Sequence, residues 1–174
     1  MRLDDVSRLD RSAFVATLGQ VFEDSPWIAE AAWEQRPWAS VSELHATMVA
    51  AVDAAPAERR LALLRAHPDL AGRAALAGPL APASAAEQAA AGLDRLDPVR
   101  YARLHALNAN YRDRFGFPFV VCVREHTVDS ILADAAARVS AAPEEEERRA
   151  LEEVAKIARL RLEDLLDDDV AADR

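Results

Sequence analysis

The sequence predicts an all-α fold, arranged as one compact helical domain from residue 1 to 174 with about seven to nine helices. Helix start and stop signals recur along the whole chain. Strand-like composition is confined to FPFVVCV (117–123), and a lone strand of that kind has no partner. The chain shows no internal repeat and no linker that would mark a domain boundary.

Proline and short polar side chains predict the helices of the first half. SPWIAEAAWEQ (25–35) begins with a serine cap and a proline in the first helical position. Ser40 and Glu43 have the spacing of a capping box. Another helix begins at Pro56, and Pro68 ends it because the residue before a proline is pushed out of helical geometry.

The second half contains three more helix starts. Pro98 begins a long helix that Gly116 ends, and Thr127 caps the next one. The last helix begins at Pro143, where the acidic run Glu144–Glu147 suits the positive pole of the helix. We therefore interpret the acidic run as a helix terminus and not as a ligand or a tail.

Composition excludes several classes of function. The net charge of −9 argues against nucleic-acid binding, and an anion site would have to rely on a local cation. No stretch has the length of a membrane span or the pattern of a signal peptide. The presence of a single cysteine, Cys122, predicts a reducing, cytoplasmic location. Its apolar neighbours favour a buried structural thiol over a nucleophile.

The histidines do not form a metal site by their spacing. None of the four lies at helical spacing from another, whereas zinc and iron sites need three or four ligands. No glycine-rich phosphate loop or GxSxG elbow is present, although spacing alone does not exclude a Ser-His-Asp triad. From the residues alone we therefore expect no metal site.

His67 lies directly before Pro68, at the end of its helix. The negative helix pole there stabilises an imidazolium, and the pKa of histidine suits proton transfer near neutral pH. The alternative is a histidine that only caps the last carbonyls. Ser84 and Glu87 of SAAE likewise form either a plain capping box or, with Gln88, a helix start that holds a polar ligand.

Arg161 lies at the edge of the apolar stripe of the last helix, which comprises Leu151, Val154, Ala158, Leu162 and Leu165. Burying a guanidinium without a partner is costly, so either a core carboxylate or a substrate anion must pair with it. FGFPF (115–119) is either a hydrophobic plug or a pocket wall that offers backbone amides to a flat polar ring.

Five blocks in this order resemble one family, the 2-oxo-4-hydroxy-4-carboxy-5-ureidoimidazoline (OHCU) decarboxylases. They are FEDSPWIAEAAWEQRPW, LLRAHPDLAG, SAAEQAAAGLD, LNANYRDRFGFPFVVCVREHT and IARLRL, and the similarity runs from about residue 12 to 166. The resemblance implies an all-α homodimer that needs no cofactor. It also implies an enzyme late in urate breakdown that forms (S)-allantoin and carbon dioxide from a small ureidoimidazoline.

The resemblance implies catalytic roles for His67, Glu87 and Arg161, which we expect to face one small cavity. Substrate contacts are expected from Pro68, Ser84, Gln88, Phe117, Phe119, Val120 and Val121. Two other functions stay open: a non-catalytic helical binding module on the same scaffold, and a hydrolase of a related ureido compound.

Overall fold

The computed structural model describes residues 1–72 and 81–167, and within them the fold is all-α. The described chain forms nine α-helices and two 3₁₀ turns. The β-rich stretch 117–123 forms no strand, and the one β-type pairing among the described residues is an isolated bridge between Arg2 and Asp167. None of the described helices has the length and apolarity that a membrane crossing requires. The predicted fold class is therefore confirmed.

The helices are α1 (Leu3–Ser7), α2 (Arg11–Leu18), α3 (Pro26–Trp33), α4 (Val41–Asp53), α5 (Ala57–Ala66), α6 (Pro82–Ala90), α7 (Pro98–Phe115), α8 (Val128–Arg138) and α9 (Pro143–Leu165). The 3₁₀ turns are Leu93–Arg95 and Val123–Glu125.

Two compact units account for the internal contacts of the chain. The first unit comprises Met1–Leu63 and Ala155–Arg174, and the second comprises Leu64–Val154. The single domain of residues 1–174 stays a prediction.

Most helix ends lie where the sequence predicts them. α3, α7 and α9 begin at the predicted prolines, and Thr127 forms a capping box with Ser130 at the start of α8. Gly116 ends α7 in the left-handed region, with φ of 75°. That conformation is open to glycine and strained for other residues, which explains why the helix stops there.

Three predicted caps are wrong in part or in whole. Ser25 precedes α3, but its side chain makes no capping bond. Ser40 accepts from the backbone N–H of Glu43 at 3.1 Å, whereas the Glu43 carboxylate accepts from Ala39 at 2.6 Å instead of returning to Ser40. Ser84 closes no capping box, because α6 already begins at Pro82 and so includes both Ser84 and Glu87.

The core of the first unit forms where α3 packs against α2 and α4. Ile28, Leu44 and Met48 are completely buried, and the rings of Phe14 and Trp38 stack at 5.5 Å between centroids. Burial of apolar side chains of this size supplies most of the favourable free energy of such a core.

The core of the second unit centres on Tyr111 of α7. Its ring meets those of Phe115, Phe117 and Phe119 at centroid distances of 4.6, 5.9 and 5.4 Å. Arg138 of α8 lies over the Phe119 ring at 4.7 Å. The aromatic cluster fixes the chain between α7 and the Val123–Glu125 turn, which is the segment that the sequence singles out as FGFPF.

Candidate active site

His67 lies one residue beyond α5, as the sequence predicts. α5 ends at Ala66, and the backbone N–H of His67 donates to Leu64 O at 3.2 Å in a tightened last turn. The His67 side chain is buried, with a residue exposure of 6%. A buried imidazole at the negative pole of a helix has the surroundings of a proton-transfer group, although the same position suits a cap.

The chain after Pro68 is held by side chains from two helices of the second unit. The Oε1 of Gln88 accepts from the Ala71 N–H at 2.9 Å, and its Nε2 lies 3.5 Å from Asp69 O. From α7, Asn108 Nδ2 donates to Leu70 O at 2.9 Å and Arg112 Nε donates to Asp69 Oδ1 at 2.8 Å. The sequence did not single out Asn108 or Arg112, because nothing local marks their partners.

α6 carries three of the predicted site residues. Ser84 and Gln88, one helical turn apart, are buried, and Glu87 is half-buried between them. α6 also contacts the Val123–Glu125 turn. This helix therefore touches both the segment that follows His67 and the end of the stretch that follows FGFPF.

The FGFPF segment has the first of its two expected roles, and its role as a pocket wall stays a prediction. Its phenylalanine rings pack on Tyr111, so the hydrophobic plug is confirmed. Phe119, Val120 and Val121 are at most 3% exposed, and their backbone N–H groups donate to no acceptor among the described residues. Buried N–H groups normally have partners, so these three amides are suited to a ligand that carries carbonyl or carboxylate oxygens.

Cys122 is a buried free thiol, which confirms that prediction. Its backbone N–H donates to Glu153 Oε2 at 2.9 Å. Burial, followed by the charges of Glu125 and Glu153, raises the pKa of the thiol to about 11, and Glu87 contributes in the same direction. A thiol with that pKa is protonated at neutral pH and is a poor nucleophile.

Arg161 forms a buried ion pair within the first unit. Its Nη1 donates to Glu23 Oε2 at 3.1 Å and lies 3.3 Å from Val21 O. The side chains of Arg161 and Glu23 are 7% and 5% exposed. Of the two partners that the sequence left open, the core carboxylate is present, and it is Glu23.

The apolar stripe beside Arg161 is confirmed in its middle and corrected at both ends. Val154, Ala158 and Leu162 are at most 2% exposed. Leu151 is half-buried and Leu165 is 45% exposed, whereas their neighbours Ala150 and Leu166 are buried. The helix ends at Leu165, so the period of the helix no longer decides which side chain faces inward.

The histidines other than His67 have evident structural contacts. His45 Nε2 lies 2.8 Å from Ala155 O, and His126 Nδ1 lies 3.1 Å from Ser130 Oγ. The ring of His105 packs on Tyr101 at 4.5 Å. Within the described ranges, no three His, Cys, Asp or Glu side chains are grouped so that they could hold a metal ion.

Comparison with known proteins supports the resemblance seen in the sequence. The family model for OHCU decarboxylase matches residues 7–163. A 2-oxo-4-hydroxy-4-carboxy-5-ureidoimidazoline decarboxylase of Haloferax volcanii is 46% identical over 162 residues, 93% of this chain and 94% of the relative. The protein of the same name from Mus musculus is 43% identical over 166 residues, 95% and 93% of the two chains.

The fold agrees as well. The crystal structure of an (S)-allantoin synthase superposes with a TM-score of 0.76 at 31% identity, over 96% of this chain and 54% of the other. A family match over most of the chain, with relatives above 40% identity along nearly their full length, leaves one assignment: the chain belongs to the OHCU decarboxylase family.

Proposed function

We propose that the protein decarboxylates 2-oxo-4-hydroxy-4-carboxy-5-ureidoimidazoline to (S)-allantoin and carbon dioxide in urate catabolism. The observation that carries the proposal is the family match over residues 7–163, which includes His67, Glu87 and Arg161. The substrate is an anionic ureidoimidazoline, and the reaction is that of a carboxy-lyase.

The chemistry of the substrate makes a cofactor unnecessary. Loss of carbon dioxide leaves an electron pair on carbon, and many decarboxylases place it in a cofactor. In this substrate an imine carbon adjoins the carboxylated carbon, so the ring itself accepts the pair as an ene-diamine-like intermediate. The protein has to hold the ring, turn the carboxylate out of its plane and manage protons, which positioning and charge placement supply.

His67 is the proposed proton-transfer group. It either takes the proton from the C4 hydroxyl as carbon dioxide departs or delivers one to the intermediate. Its position at the C-terminal pole of α5 supports proton uptake, because the pole stabilises the imidazolium that proton uptake produces, and that imidazolium is the proton donor in the second case. Protonation from one face sets the (S) configuration.

Glu87 and Arg161 are proposed to bind the two ends of the substrate. Glu87 accepts from the ring or ureido N–H groups and orients His67, whereas Arg161 binds an anionic or carbonyl edge. Arg161 is suited to this because Glu23 and the Val21 carbonyl fix the orientation of its guanidinium. An anionic substrate requires a local cation in a protein of net charge −9, and we propose that Arg161 supplies it while sharing its charge with Glu23.

The remaining substrate contacts are proposed to come from Pro68, Ser84, Gln88, Phe117, Phe119, Val120 and Val121. The unused, buried backbone N–H groups of Phe119, Val120 and Val121 support a role as donors to substrate oxygens. We further propose that the protein is a cytoplasmic homodimer. The unpaired, buried Cys122 is compatible with a reducing compartment, and sedimentation equilibrium measures the subunit number.

A product assay tests the function. Freshly generated substrate is mixed with the protein, and optical activity at the allantoin absorption band and carbon dioxide release are followed together. The wild type should form (S)-allantoin and carbon dioxide in equal amounts. A hydrolase would retain the carboxylate and release no carbon dioxide, and a binding module would bind allantoin without turnover.

His67→Gln should fold normally and lose at least about 100-fold in rate, a typical contribution of a general acid or base. His126→Gln is the matched control, because His126 contacts Ser130 and has no proposed role in the reaction. Full stereospecific activity in His67→Gln would remove His67 from the mechanism.

A further inference from the structure

We propose that Asn108 and Arg112 of α7 are positioning residues that hold the chain after His67 and thereby place the imidazole for the reaction. The inference rests on the proposed function. It adds two residues to the site that the family resemblance implies. Asn108 and Arg112 are one helical turn apart, so both side chains leave the same face of α7.

Three successive residues after Pro68 are each tied to a different side chain. Asp69 is held through its carboxylate by Arg112 Nε at 2.8 Å, and Leu70 through its carbonyl by Asn108 Nδ2 at 2.9 Å. Ala71 is held through its N–H by Gln88 Oε1 at 2.9 Å. These bonds fix the path of the chain from two helices at once, immediately after the proposed catalytic histidine.

The backbone conformation of the segment indicates that these contacts impose its shape. Ala71 has φ of 51°, in the left-handed region that is unfavourable for a residue with a Cβ. Such a conformation persists only where the surroundings over-determine it. Gln88 on the Ala71 N–H, together with the turn bond from Gly72 N–H to Asp69 O at 3.2 Å, supplies that constraint.

Asn108 donates to Leu70 O even though its other amide atom, Oδ1, is buried at a cost in free energy. The residue is 5% exposed, and its Oδ1 is buried with no hydrogen-bond partner in the described part of the chain. A buried polar atom without a partner is unfavourable, so the amide must be retained for what its other end does. That end donates to Leu70 O, which an apolar side chain of equal size would leave without this bond.

Proline makes the segment stiff enough to transmit the constraint. The Pro68 ring fixes its own φ, and it restricts the backbone of His67 to extended geometry. With Asp69, Leu70 and Ala71 tied down, few torsions remain by which His67 can move relative to α6 and α7. Loss of one of these hydrogen bonds therefore moves the imidazole. A displacement of about 1 Å is enough to slow a reaction that depends on positioning roughly 100-fold.

The Asp69–Arg112 pair gives the sharpest test, because it is partly exposed and its loss leaves the core intact. We expect Arg112→Gln and Asp69→Asn each to lower kcat about 10- to 100-fold, with KM changed less than about 3-fold. The double variant should be no slower than the slower single variant, because both changes break the same contact. Arg112→Lys should recover part of the rate.

Arg103→Gln is the matched control, an exposed arginine on the same helix, and it should keep wild-type kcat. If Asn108→Leu folds, its kcat should fall as much as that of Arg112→Gln. If it does not fold, the kcat values of the Asp69 and Arg112 variants alone test the positioning role. Wild-type kcat in Arg112→Gln, a loss confined to KM, or multiplied losses in the double variant would each overturn the proposal.

A second readout separates this proposal from the proposed function. In ¹⁵N-labelled protein, the imidazole resonances of His67 should shift in Arg112→Gln, whereas those of His126 should not. If the wild type forms no (S)-allantoin, the proposed function fails. The His67 resonances still show whether Arg112 holds the imidazole in place. Unmoved His67 resonances would overturn the positioning role even in an active enzyme.

Discussion

At the scale of single residues, Arg161 and Glu23 show how a buried charge is tolerated in this protein. The guanidinium lies in an apolar stripe and is 6% exposed, and Glu23 supplies the opposite charge at 3.1 Å. Removing one partner of such a pair leaves an uncompensated charge, which is more costly than the pair itself is favourable. Glu23 is therefore required for stability as well as for the orientation of Arg161.

We predict that Glu23→Ala lowers the free energy of unfolding by about 3–5 kcal/mol, the typical effect of orphaning a buried charge. Urea denaturation measures it. Glu163→Ala is the control, since Glu163 pairs with Arg159 on the exposed side of the same helix and should cost at most about 0.5 kcal/mol. Equal losses in the two variants would show that the Glu23 pair is no stronger than a surface pair.

We predict that the Cys122 thiol resists alkylation in the folded protein at pH 8. Burial raises its pKa to about 11, so almost none of it is thiolate at that pH. The same shift predicts that stability falls as the pH rises above about 9, because the unfolded chain then loses a proton that the folded chain keeps. Iodoacetamide labelling followed by mass spectrometry checks the first expectation, with urea-unfolded protein as the reactive control.

Residue patterns predicted which side chains are unusual, but not their partners. His67 and Arg161 stand out because a proline follows one and apolar residues flank the other. Glu23, Asn108 and Arg112 have no such local mark, since their contacts lie 138, 38 and 43 residues away in the chain. Only the folded chain brings those partners together.

At the scale of elements, proline and glycine predicted helix ends better than side-chain caps did. Pro26, Pro98 and Pro143 each begin a helix, because a proline in the first turn loses no hydrogen bond. The capping box assigned to Ser84 is wrong because Pro82 begins α6 two residues earlier. Competing start signals within a few residues are not resolved by local sequence.

The acidic run at the start of α9 shows a similar limit. Its position at the helix pole is confirmed, yet Glu146 is 1% exposed and is held by Arg138 Nε at 3.0 Å and by the Tyr111 hydroxyl. Burial raises the pKa of Glu146, and the contact with Arg138 favours its ionised form. One acid of the run is thus part of the core that holds Phe119.

We predict that Gly116→Ala destabilises the protein by about 1–2 kcal/mol, the cost of a left-handed conformation for a residue with a Cβ. An added Cβ would come no nearer than 3.7 Å to Arg65 Nη2, so the cost is conformational and not steric. Thermal denaturation of Gly116→Asn provides the control. Asparagine tolerates this region, and it should lose less stability than alanine; the reverse order would contradict the explanation.

At the scale of the whole molecule, the all-α class followed from helix signals and the isolation of one β-rich stretch. That stretch, 117–123, forms no strand: the rings of Phe117 and Phe119 pack on Tyr111, and Val123 already begins a 3₁₀ turn. Composition also indicated that an anionic substrate needs a local cation, and Arg161 stays the proposed candidate. The arrangement of the proposed catalytic residues around one substrate stays a prediction.

A crystal structure of the protein with (S)-allantoin bound tests that central claim most directly. The account predicts that the ring and ureido groups of the product contact His67, Glu87 and Arg161 together, with the amides of Phe119 to Val121 facing its oxygens. Allantoin bound elsewhere, or in contact with only one of the three catalytic candidates, would contradict it.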